Sequence, residues 1–261
     1  MTILHEDEDY LFVDKPARVM SVPAPDGRAA DRGTSVVERL REQGIRVRAV
    51  HRLDYETSGV MLFAKTEAAE HAAHAAFRAR TVEKTYLALV EGWPRPFRGK
   101  IDYPIKDLGA SAVISKEGKE AVTFYQVIDE QGPCSLVSCR IPTGRHNQIR
   151  IHFAQIGHPL VGERKFSRGK DAVMTHKRAL LHAVELVVPS PRGGDPITVK
   201  SPLPADFKNA LEKARSLPSR LHHAIDREAT RGKAPGSRSR LRRGNPGRRK
   251  GKNQRPPRRG Q

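Results

Sequence analysis

Short apolar segments separated by proline- and glycine-containing turns fill most of the chain beyond residue 84. Segments of this length and composition predict β-strands. At least six are present: residues 85–92, 100–105, 121–128, 135–141, 180–188 and 197–201. No regular alternation of strands and helices accompanies them. The sequence therefore predicts an α+β fold with a mixed, largely antiparallel central sheet and flanking helices, rather than a doubly wound parallel sheet.

Helices are predicted where a capping residue precedes an amphipathic segment. The first is capped by Thr34 or Ser35 and the second runs from Thr66 to about Arg80. Two more are predicted at residues 146–156 and 205–214. A strand followed by a loop is predicted at residues 10–14, and a buried strand at residues 59–65, a compact apolar run.

The positive charge of the chain is concentrated at its C-terminal end. The 261 residues carry a formal net charge of +19, and residues 231–261 contain 13 Lys and Arg residues and no acid. Their only hydrophobic residues, Ala234 and Leu241, cannot offset the entropy of ordering the segment. We predict a folded domain over residues 1–215, a linker over 216–230 and a disordered polybasic tail over 231–261.

The sequence lacks the signals that are typical of several protein classes. No apolar run approaches the roughly 20 residues of a bilayer span, and the acidic N-terminal residues do not match a secretory signal. Cys134 and Cys139 are the only cysteines, and their spacing on a predicted strand places them on opposite faces. Motifs for nucleotide, dinucleotide and zinc binding are absent. We expect a cytoplasmic protein with reduced cysteines, no metal and no cofactor.

A dense polar segment, HRLDYETSG at residues 51–59, leads directly into a predicted buried strand. Catalytic groups are often mounted on such loops. Asp54 lies two residues from Arg52, and a carboxylate among guanidinium groups stays ionised and can act as a nucleophile. From these features alone, Asp54 fits either this role or that of a helix cap or salt-bridged loop residue.

A second polar segment, PTGRHNQIRIH at residues 142–152, places a glycine turn before an amphipathic helix. Arg145, His146 and Arg150 form a basic cluster in it. Helix N-termini and guanidinium groups both bind phosphate. The alternative is a charged, solvated helix face beside an ordinary glycine turn.

Together, the two segments resemble the motifs of the RluA-type pseudouridine synthases. Residues 51–65 read HRLDYETSGVMLFAK and residues 144–152 read GRHNQIRIH. Shorter matches follow the family order: KTYLALVEG at residues 84–92, GKEAVT at 118–123, GHPLVG at 157–162 and LHA at 181–183. The resemblance spans residues 8 to about 210. It implies the pseudouridine synthase fold and an enzyme that breaks the N1–C1′ bond of a uridine in RNA and joins C5 to C1′.

The resemblance also implies roles for single residues. Asp54 matches the essential aspartate, which acts as a nucleophile or takes a ribose proton on a glycal route, and Arg150 matches the basic residue that pairs with it. Tyr86 matches the tyrosine that stacks on the target base and takes part in removing the C5 proton, and Arg52 matches the arginine that fills the place of the flipped nucleotide. The remaining substrate-binding residues are expected to be His51, Thr57, Arg145 and Gln148.

Three positions depart from the family motifs. Asn147 stands where a His is usual, His146 where a small residue is usual, and Glu163 where an Asp follows Gly162. A neutral amide can form the same hydrogen bonds as a neutral imidazole. We therefore expect altered RNA contacts and retained catalysis.

The expected partner is RNA, with ribosomal RNA favoured and transfer RNA as the alternative. A non-catalytic RNA-binding protein on the same scaffold is the rival class, and DNA binding by the tail is a third alternative, because a polybasic arm binds any phosphate backbone. The presence of Asp54, Tyr86 and Arg150 together favours the enzyme. We expect a monomer without a membrane partner or small-molecule cofactor, and without an RNA-binding S4 domain in front of the catalytic body.

Overall fold

The computed structural model describes residues 1–23, 33–109, 111–167 and 172–218. The predicted tail, and the predicted linker beyond residue 218, lie outside the described residues. The described helices are α1 (Val36–Glu42), α2 (Glu67–Ala79), α3 (Gln148–Gln155) and α4 (Ala205–Ser216). The described strands are β1 (Thr2–Glu6), β2 (Tyr10–Lys15), β3 (Arg48–Ala49), β4 (Ser58–Ala64), β5 (Glu83–Glu91), β6 (Arg98–Ile101), β7 (Ile105–Asp107), β8 (Ala112–Ile114), β9 (Thr123–Gln131), β10 (Cys134–Arg140), β11 (Leu181–Val188) and β12 (Ile197–Lys200).

Ten of these strands form one mixed sheet in the order β1-β2-β4-β11-β5-β10-β9-β6, with β3 paired to β4 and β12 to β11. The β4–β11 pair is parallel, and the other pairs given for this sheet are antiparallel. Strands β7 and β8 form a separate hairpin. The predicted α+β class and largely antiparallel sheet are confirmed.

The first two helices begin at the predicted capping residues. The Ser35 hydroxyl accepts a hydrogen bond from the Glu38 amide, and the Glu38 carboxylate accepts one from the Ser35 amide, which completes a capping box. The Thr66 hydroxyl caps α2 by accepting from the Ala69 amide. Helix α2 ends at Arg80, which has a left-handed conformation at φ 60°.

The two faces of the sheet carry separate parts of the core. Strand β4 is buried at every position and joins the larger cluster, which also contains Phe153 of α3. Helix α4 covers the second cluster through Phe207. Cys139 belongs to the first cluster and Cys134 to the second, so the two free cysteines lie on opposite faces as predicted.

Helix α3 differs from the prediction at its start. It begins at Gln148 rather than His146, because Asn147 has a left-handed conformation at φ 55°. Ile149 and Phe153 pack into the core, but the polar side chains of Gln148 and Arg150 are buried as well. The helix is therefore enclosed on most sides, and hydrogen bonds rather than solvent satisfy its polar groups.

The strand predicted at residues 100–105 is divided into β6 and β7. Pro104 lies between them and has no amide hydrogen to donate to a sheet. Strand β6 pairs with β9, whereas β7 pairs with β8. The hairpin so formed packs on α3 through Ile105, Ala112 and Ile151.

Two further findings concern the described part of the chain. None of its four helices has the length and apolar character needed to cross a membrane. It contains no group of three or more His, Cys, Asp or Glu side chains arranged to hold a metal ion.

Candidate active site

Asp54 lies in the loop that leads into β4 and contributes to the walls of two adjoining cavities. The first cavity, of about 270 Å³, is also lined by Arg52, Tyr86 and Arg145. The second, of about 400 Å³, is also lined by Arg150. Asp54 and Arg52 therefore belong to both cavities, which places this carboxyl group at their junction.

Buried polar side chains hold the backbone of the Asp54 loop. The Lys15 ammonium is fully buried and donates to the carbonyl oxygens of Thr57 at 2.7 Å and Pro16 at 3.1 Å. Arg178, also buried, donates to the Glu56 carbonyl at 3.2 Å. These contacts fix the loop on its C-terminal side. Burial lowers the pKa of Lys15 to about 7, an effect that Asp54 opposes.

The N-terminal side of the loop is fixed by Ser21. Its hydroxyl donates to the Leu53 carbonyl at 2.8 Å and accepts from the Leu53 amide at 3.0 Å. The Thr57 amide donates to the Asp54 carbonyl at 3.0 Å, which closes a turn around the carboxyl-bearing residue. Asp54 is thus presented on a backbone held at both ends.

Gly59 allows β4 to approach β11 directly beyond this loop. Its φ of 118° is accessible to glycine, and a Cβ at this position would collide with the carbonyl oxygen of Ala183. Next to it, Ser58 Oγ and His182 Nδ1 share a hydrogen bond of 3.0 Å. The Ser-Gly pair of the motif therefore serves the parallel β4–β11 contact that supports the loop.

The charge of Asp54 depends on its surroundings. Burial raises the pKa of its carboxyl group, and the positive charges of Arg150, His146, Arg52 and Lys15 oppose this effect in decreasing order. The sequence-based expectation of an ionised carboxylate rests on these neighbouring charges, and burial acts against it as the largest effect on this pKa. Each of these cations consequently favours the ionised form that a nucleophile or base requires.

Tyr86 extends from β5 into the wall of the first cavity and is 8% exposed. Burial and the negative charge of Asp54 raise the pKa of its hydroxyl group well above the usual value. The phenol is therefore neutral beside the carboxyl group. It offers an aromatic face together with a proton that remains on oxygen.

Arg150 contacts other carboxylates. Its Nε and Nη2 atoms donate to the Glu163 carboxylate at 2.6 and 2.9 Å, Nη2 also contacts Glu56 at 3.0 Å, and Nη1 donates to Asn147 at 3.1 Å. The direct ion pair expected between Arg150 and Asp54 is not formed within the described residues. The Arg150 guanidinium pairs with Glu163 instead. Arg150 acts on Asp54 through a longer-range electrostatic attraction.

Glu163 is fixed in place by its own loop. Its Oε1 accepts hydrogen bonds from the amides of Lys165 at 2.8 Å and Phe166 at 3.3 Å, and its side chain is fully buried. These amides and Arg150 lower the pKa of the Glu163 carboxyl group, although burial is the largest single effect and acts in the opposite direction. The Glu163 carboxylate thus determines where the Arg150 guanidinium is held.

The other predicted substrate-binding residues have different environments. Arg52 is exposed at the mouth of both cavities, and Thr57 lies buried in the wall of the first. Arg145 lines the first cavity while its Nε donates to the Glu120 carbonyl at 2.9 Å. These three side chains are brought together around Asp54, as the sequence predicts.

Gln148 and His51 make structural contacts. The Gln148 amide accepts from Arg145 N at 3.0 Å and donates to the Val122 carbonyl at 2.8 Å, so it holds the glycine turn. His51 Nε2 accepts from the Leu62 amide at 2.9 Å, and burial lowers the pKa of its imidazole to about 3. Both residues support the backbone of the site, and Gln148 also lines the first cavity.

Sequence reasoning did not assign several residues that build the site. Lys15 directly follows the strand predicted at residues 10–14, and no local pattern marks it as a buried cation. No local sequence pattern indicates a role in the site for Ser21, Glu56 or Arg178. Asp107 reaches the first cavity from the β7–β8 hairpin and contacts His146 at 3.4 Å, a placement that depends on a hairpin the sequence did not predict.

Comparison with known proteins identifies relatives of this chain. The family model described as RNA pseudouridylate synthase matches residues 9–155. The chain is 35% identical over 212 residues to the Dual-specificity RNA pseudouridine synthase RluA of Escherichia coli strain K12, covering 79% of this chain and 94% of that protein. It is 37% identical over 231 residues to an uncharacterized RNA pseudouridine synthase of Mycobacterium bovis, covering 82% and 73% of the two chains.

Solved structures show the same fold. Human RNA Pseudouridylate Synthase Domain Containing 4 superposes with a TM-score of 0.65 at 25% identity, covering 84% of this chain and 95% of that one. Human RNA Pseudouridylate Synthase Domain Containing 1 gives a TM-score of 0.63 at 26% identity, covering 84% and 96%. The motifs, the fold and these relatives agree, and the chain belongs to the RluA-type family of RNA pseudouridine synthases.

Proposed function

We propose that this enzyme isomerises a specific uridine in structured RNA through Asp54, with ribosomal RNA as the favoured substrate and transfer RNA as the alternative. The position of the Asp54 carboxyl group, at the junction of two cavities and among cations, carries the proposal. A partly buried carboxylate opposes phosphate binding and costs desolvation energy. A protein that only bound RNA would gain nothing from it.

Asp54 performs the central step in its ionised form. It attacks C1′ as a nucleophile, or it takes a ribose proton on the glycal route, while the N1–C1′ bond breaks. The freed uracil turns within the cavity and its C5 bonds to C1′, while the Asp54–C1′ bond breaks on the nucleophilic route or Asp54 returns the ribose proton on the glycal route. The C5 proton then leaves and N1 carries a proton in the product. Arg150, His146 and Arg52 support both routes, because each favours the carboxylate.

Tyr86 holds the base during this turn. Its ring lies in the wall of the first cavity, and a uracil ring can stack on it. Its neutral hydroxyl group is close enough to Asp54 for the two to interact electrostatically. The resemblance implies a second role, in which the hydroxyl group assists removal of the C5 proton; because its raised pKa keeps its own proton on oxygen, it acts through a hydrogen bond rather than as the base.

Arg52 prepares the RNA for the reaction. Enzymes that act on a base in structured nucleic acid must first extract it from its stack. Arg52 is exposed at the mouth of both cavities, where its long side chain can occupy the vacated place. His146 and Asn147, which depart from the family motifs, lie in the wall of the second cavity and are expected to change the RNA contacts there.

The choice of RNA rests on the family. A relative at 35% identity carries the designation dual-specificity, which supports testing both RNA classes. We expect the enzyme to act as a monomer in the cytoplasm, on ribosomal RNA first.

The decisive experiment maps pseudouridines in ribosomal and transfer RNA from cells with and without the gene. In parallel, purified protein is incubated with each RNA in the presence of EDTA. We expect one or a few uridines to lose modification in the deletion strain and to regain it in vitro. Modification of the same sites by the Asp54→Asn variant would contradict the assignment of Asp54.

A further inference from the structure

A third cavity, of about 500 Å³, adjoins the first one on the side of helix α2. We call it the α2 groove. Its walls come from the C-terminal end of α2, the start of β5 and residues 142–145. It shares Arg52, Tyr86 and Arg145 with the catalytic cavity. A strand of RNA whose nucleotide enters that cavity can therefore continue into the groove.

The α2 groove is strongly cationic. The charged side chains that line it in the described structure are Arg52, Arg78, Arg80, Lys84 and Arg145, with no Asp or Glu among them. The nearby acid Glu120 lies outside the lining, is exposed, and pairs with Arg80 at 2.6 Å. One carboxylate beside five cations leaves a clear excess of positive charge.

Lys84 is the unusual member of this group. It is half-buried, and its ammonium forms no hydrogen bond or ion pair with any other residue that the structure describes. Its Nζ lies 5.7 Å from the centre of the Phe77 ring. Burial, Arg145 and Arg80 lower the pKa of Lys84 to about 8. A cation held in this way gains more from an arriving anion than a solvated surface lysine does.

Lys84 also has a fixed relation to Tyr86. The two residues are separated by one position on β5, so their side chains point to the same face of the sheet about 7 Å apart along the strand. A base stacked on Tyr86 and a phosphate on Lys84 can thus belong to neighbouring parts of one RNA strand.

We propose that the α2 groove binds a backbone phosphate flanking the target uridine, with Lys84 as its central ligand and with Arg145, Arg78 and Arg80 beside it. The proposal rests on the proposed function, because it needs an RNA nucleotide in the adjoining cavity. Contacts of this kind supply affinity and set the register of the strand without reading its sequence.

The test removes the charge of Lys84 and keeps a side chain of similar length. Binding of a substrate RNA fragment is titrated at several salt concentrations for wild type, Lys84→Met and Lys84→Arg. The matched control is Lys208→Met, on the exposed side of α4. We expect Lys84→Met to weaken binding about tenfold and to make the slope of log K against log salt shallower by about 0.7 to 0.9. Lys84→Arg retains most of the slope, and Lys208→Met changes neither quantity.

A second measurement identifies the phosphate. RNAs are prepared with a single neutral methylphosphonate linkage on the 5′ or the 3′ side of the target uridine. One of the two weakens wild-type binding and has no further effect on Lys84→Met, because both changes remove the same contact. Arg78 is exposed at the groove, so Arg78→Met provides a variant that preserves the fold and shifts the salt slope in the same direction.

The outcomes separate the two proposals. If wild type forms no pseudouridine in any RNA, the proposed function fails. If wild type is active but Lys84→Met and Arg78→Met match Lys208→Met in salt slope and in response to both methylphosphonates, the phosphate site is overturned while the proposed function stands. A loss of affinity for Lys84→Met that is equal at all salt concentrations would assign Lys84 a structural role instead.

Discussion

At the scale of single residues, the reactivity of Asp54 reflects two opposing effects. Burial raises the pKa of its carboxyl group and four cations lower it. The cations favour ionisation against the cost of desolvation, and an ionised carboxylate with little hydration is a more reactive nucleophile or base than a solvated one. Any change that removes a neighbouring positive charge raises this pKa further.

Replacing Asp54 by Asn is expected to abolish pseudouridine formation. The amide is nearly isosteric with the carboxylate, but it is neither a nucleophile nor a base. Binding of substrate RNA remains within a few-fold of wild type, since the loop backbone is held by Lys15, Ser21 and Arg178. Single-turnover formation of pseudouridine and RNA affinity are measured side by side. Turnover above about one per cent of wild type would exclude a direct role in bond making.

Replacing Tyr86 by Phe separates the two roles of this residue. The aromatic face and its packing on β5 are kept, and the hydroxyl group beside Asp54 is lost. We expect glycosidic bond cleavage to continue and the later loss of the C5 proton to slow. A single-turnover assay with RNA deuterated at C5 of uracil measures this step. An unchanged rate would leave stacking as the only function of Tyr86.

At the scale of secondary-structure elements, His51 connects strand β4 to helix α2. Its Nε2 accepts from the Leu62 amide, and its ring packs 5.1 Å from the centre of the Phe77 ring. The acceptor role requires a neutral imidazole. Burial and the charge of Lys84 lower the pKa of His51 to about 3, so the folded protein keeps it neutral in mild acid.

This pKa shift predicts an acid-sensitive contribution to stability. Below about pH 6.5 the unfolded chain protonates His51 and the folded chain does not, so stability falls as the pH falls from about 6.5 towards 3. One proton contributes at most about 1.4 kcal/mol per pH unit. His51→Gln keeps an acceptor for Leu62 and does not titrate. Denaturant unfolding of both proteins from pH 7 to 4.5 should give a smaller acid loss for the variant, and parallel curves would disprove the assignment.

Secondary-structure elements that depend on local patterns could be predicted from the sequence, and those that depend on distant partners could not. Helix caps at Ser35 and Thr66 depend on residues three positions apart, so the local pattern contains them. The β7–β8 hairpin could not be found in this way, because Pro104 interrupts a single apolar run and the partner strand is short. The resemblance predicts one site for Asp54, Tyr86 and Arg52, and the structure places all three on the wall of one cavity, but the motifs could not show that burial outweighs the charges around Asp54.

Contacts between segments that are distant in the sequence could not be predicted from local patterns either. Lys15 and Thr57 are 42 positions apart, and Arg178 reaches the Glu56 carbonyl across 122 positions. The pairing of Arg150 with Glu163 follows from a loop conformation fixed by amides at Lys165 and Phe166. The motifs indicate which residues lie near one another. The packing of distant segments decides which of their groups form hydrogen bonds with each other.

At the scale of the whole molecule, positive charge is distributed for contact with a polyanion. Cations line the catalytic cavity and the α2 groove, and residues 231–261 add 13 Lys and Arg residues. These groups act over different ranges. The cavity cations position one nucleotide, while a basic segment outside the described residues can bind phosphates anywhere along an RNA.

Deleting residues 231–261 is therefore expected to lower RNA affinity and leave chemistry intact. Both core clusters and all contacts described around Asp54 lie within residues 1–218, so the shortened protein retains its fold and its single-turnover rate at saturating RNA. If four to six of the 13 charges contact phosphates, the slope of log K against log salt becomes shallower by roughly 3 to 5 units, at about 0.7 to 0.9 per phosphate.

The salt dependence distinguishes this contribution from that of the α2 groove. Loss of the 13 charges weakens binding strongly at low salt and little at high salt, and it affects substrate and unrelated RNA alike, because phosphate contacts carry no sequence information. Lys84→Met changes the slope by less than one unit and depends on one particular phosphate. Full-length and shortened proteins are titrated with both RNAs at several salt concentrations. Parallel slopes for the two proteins would show that residues 231–261 contribute solubility alone, and that the folded domain supplies the RNA affinity.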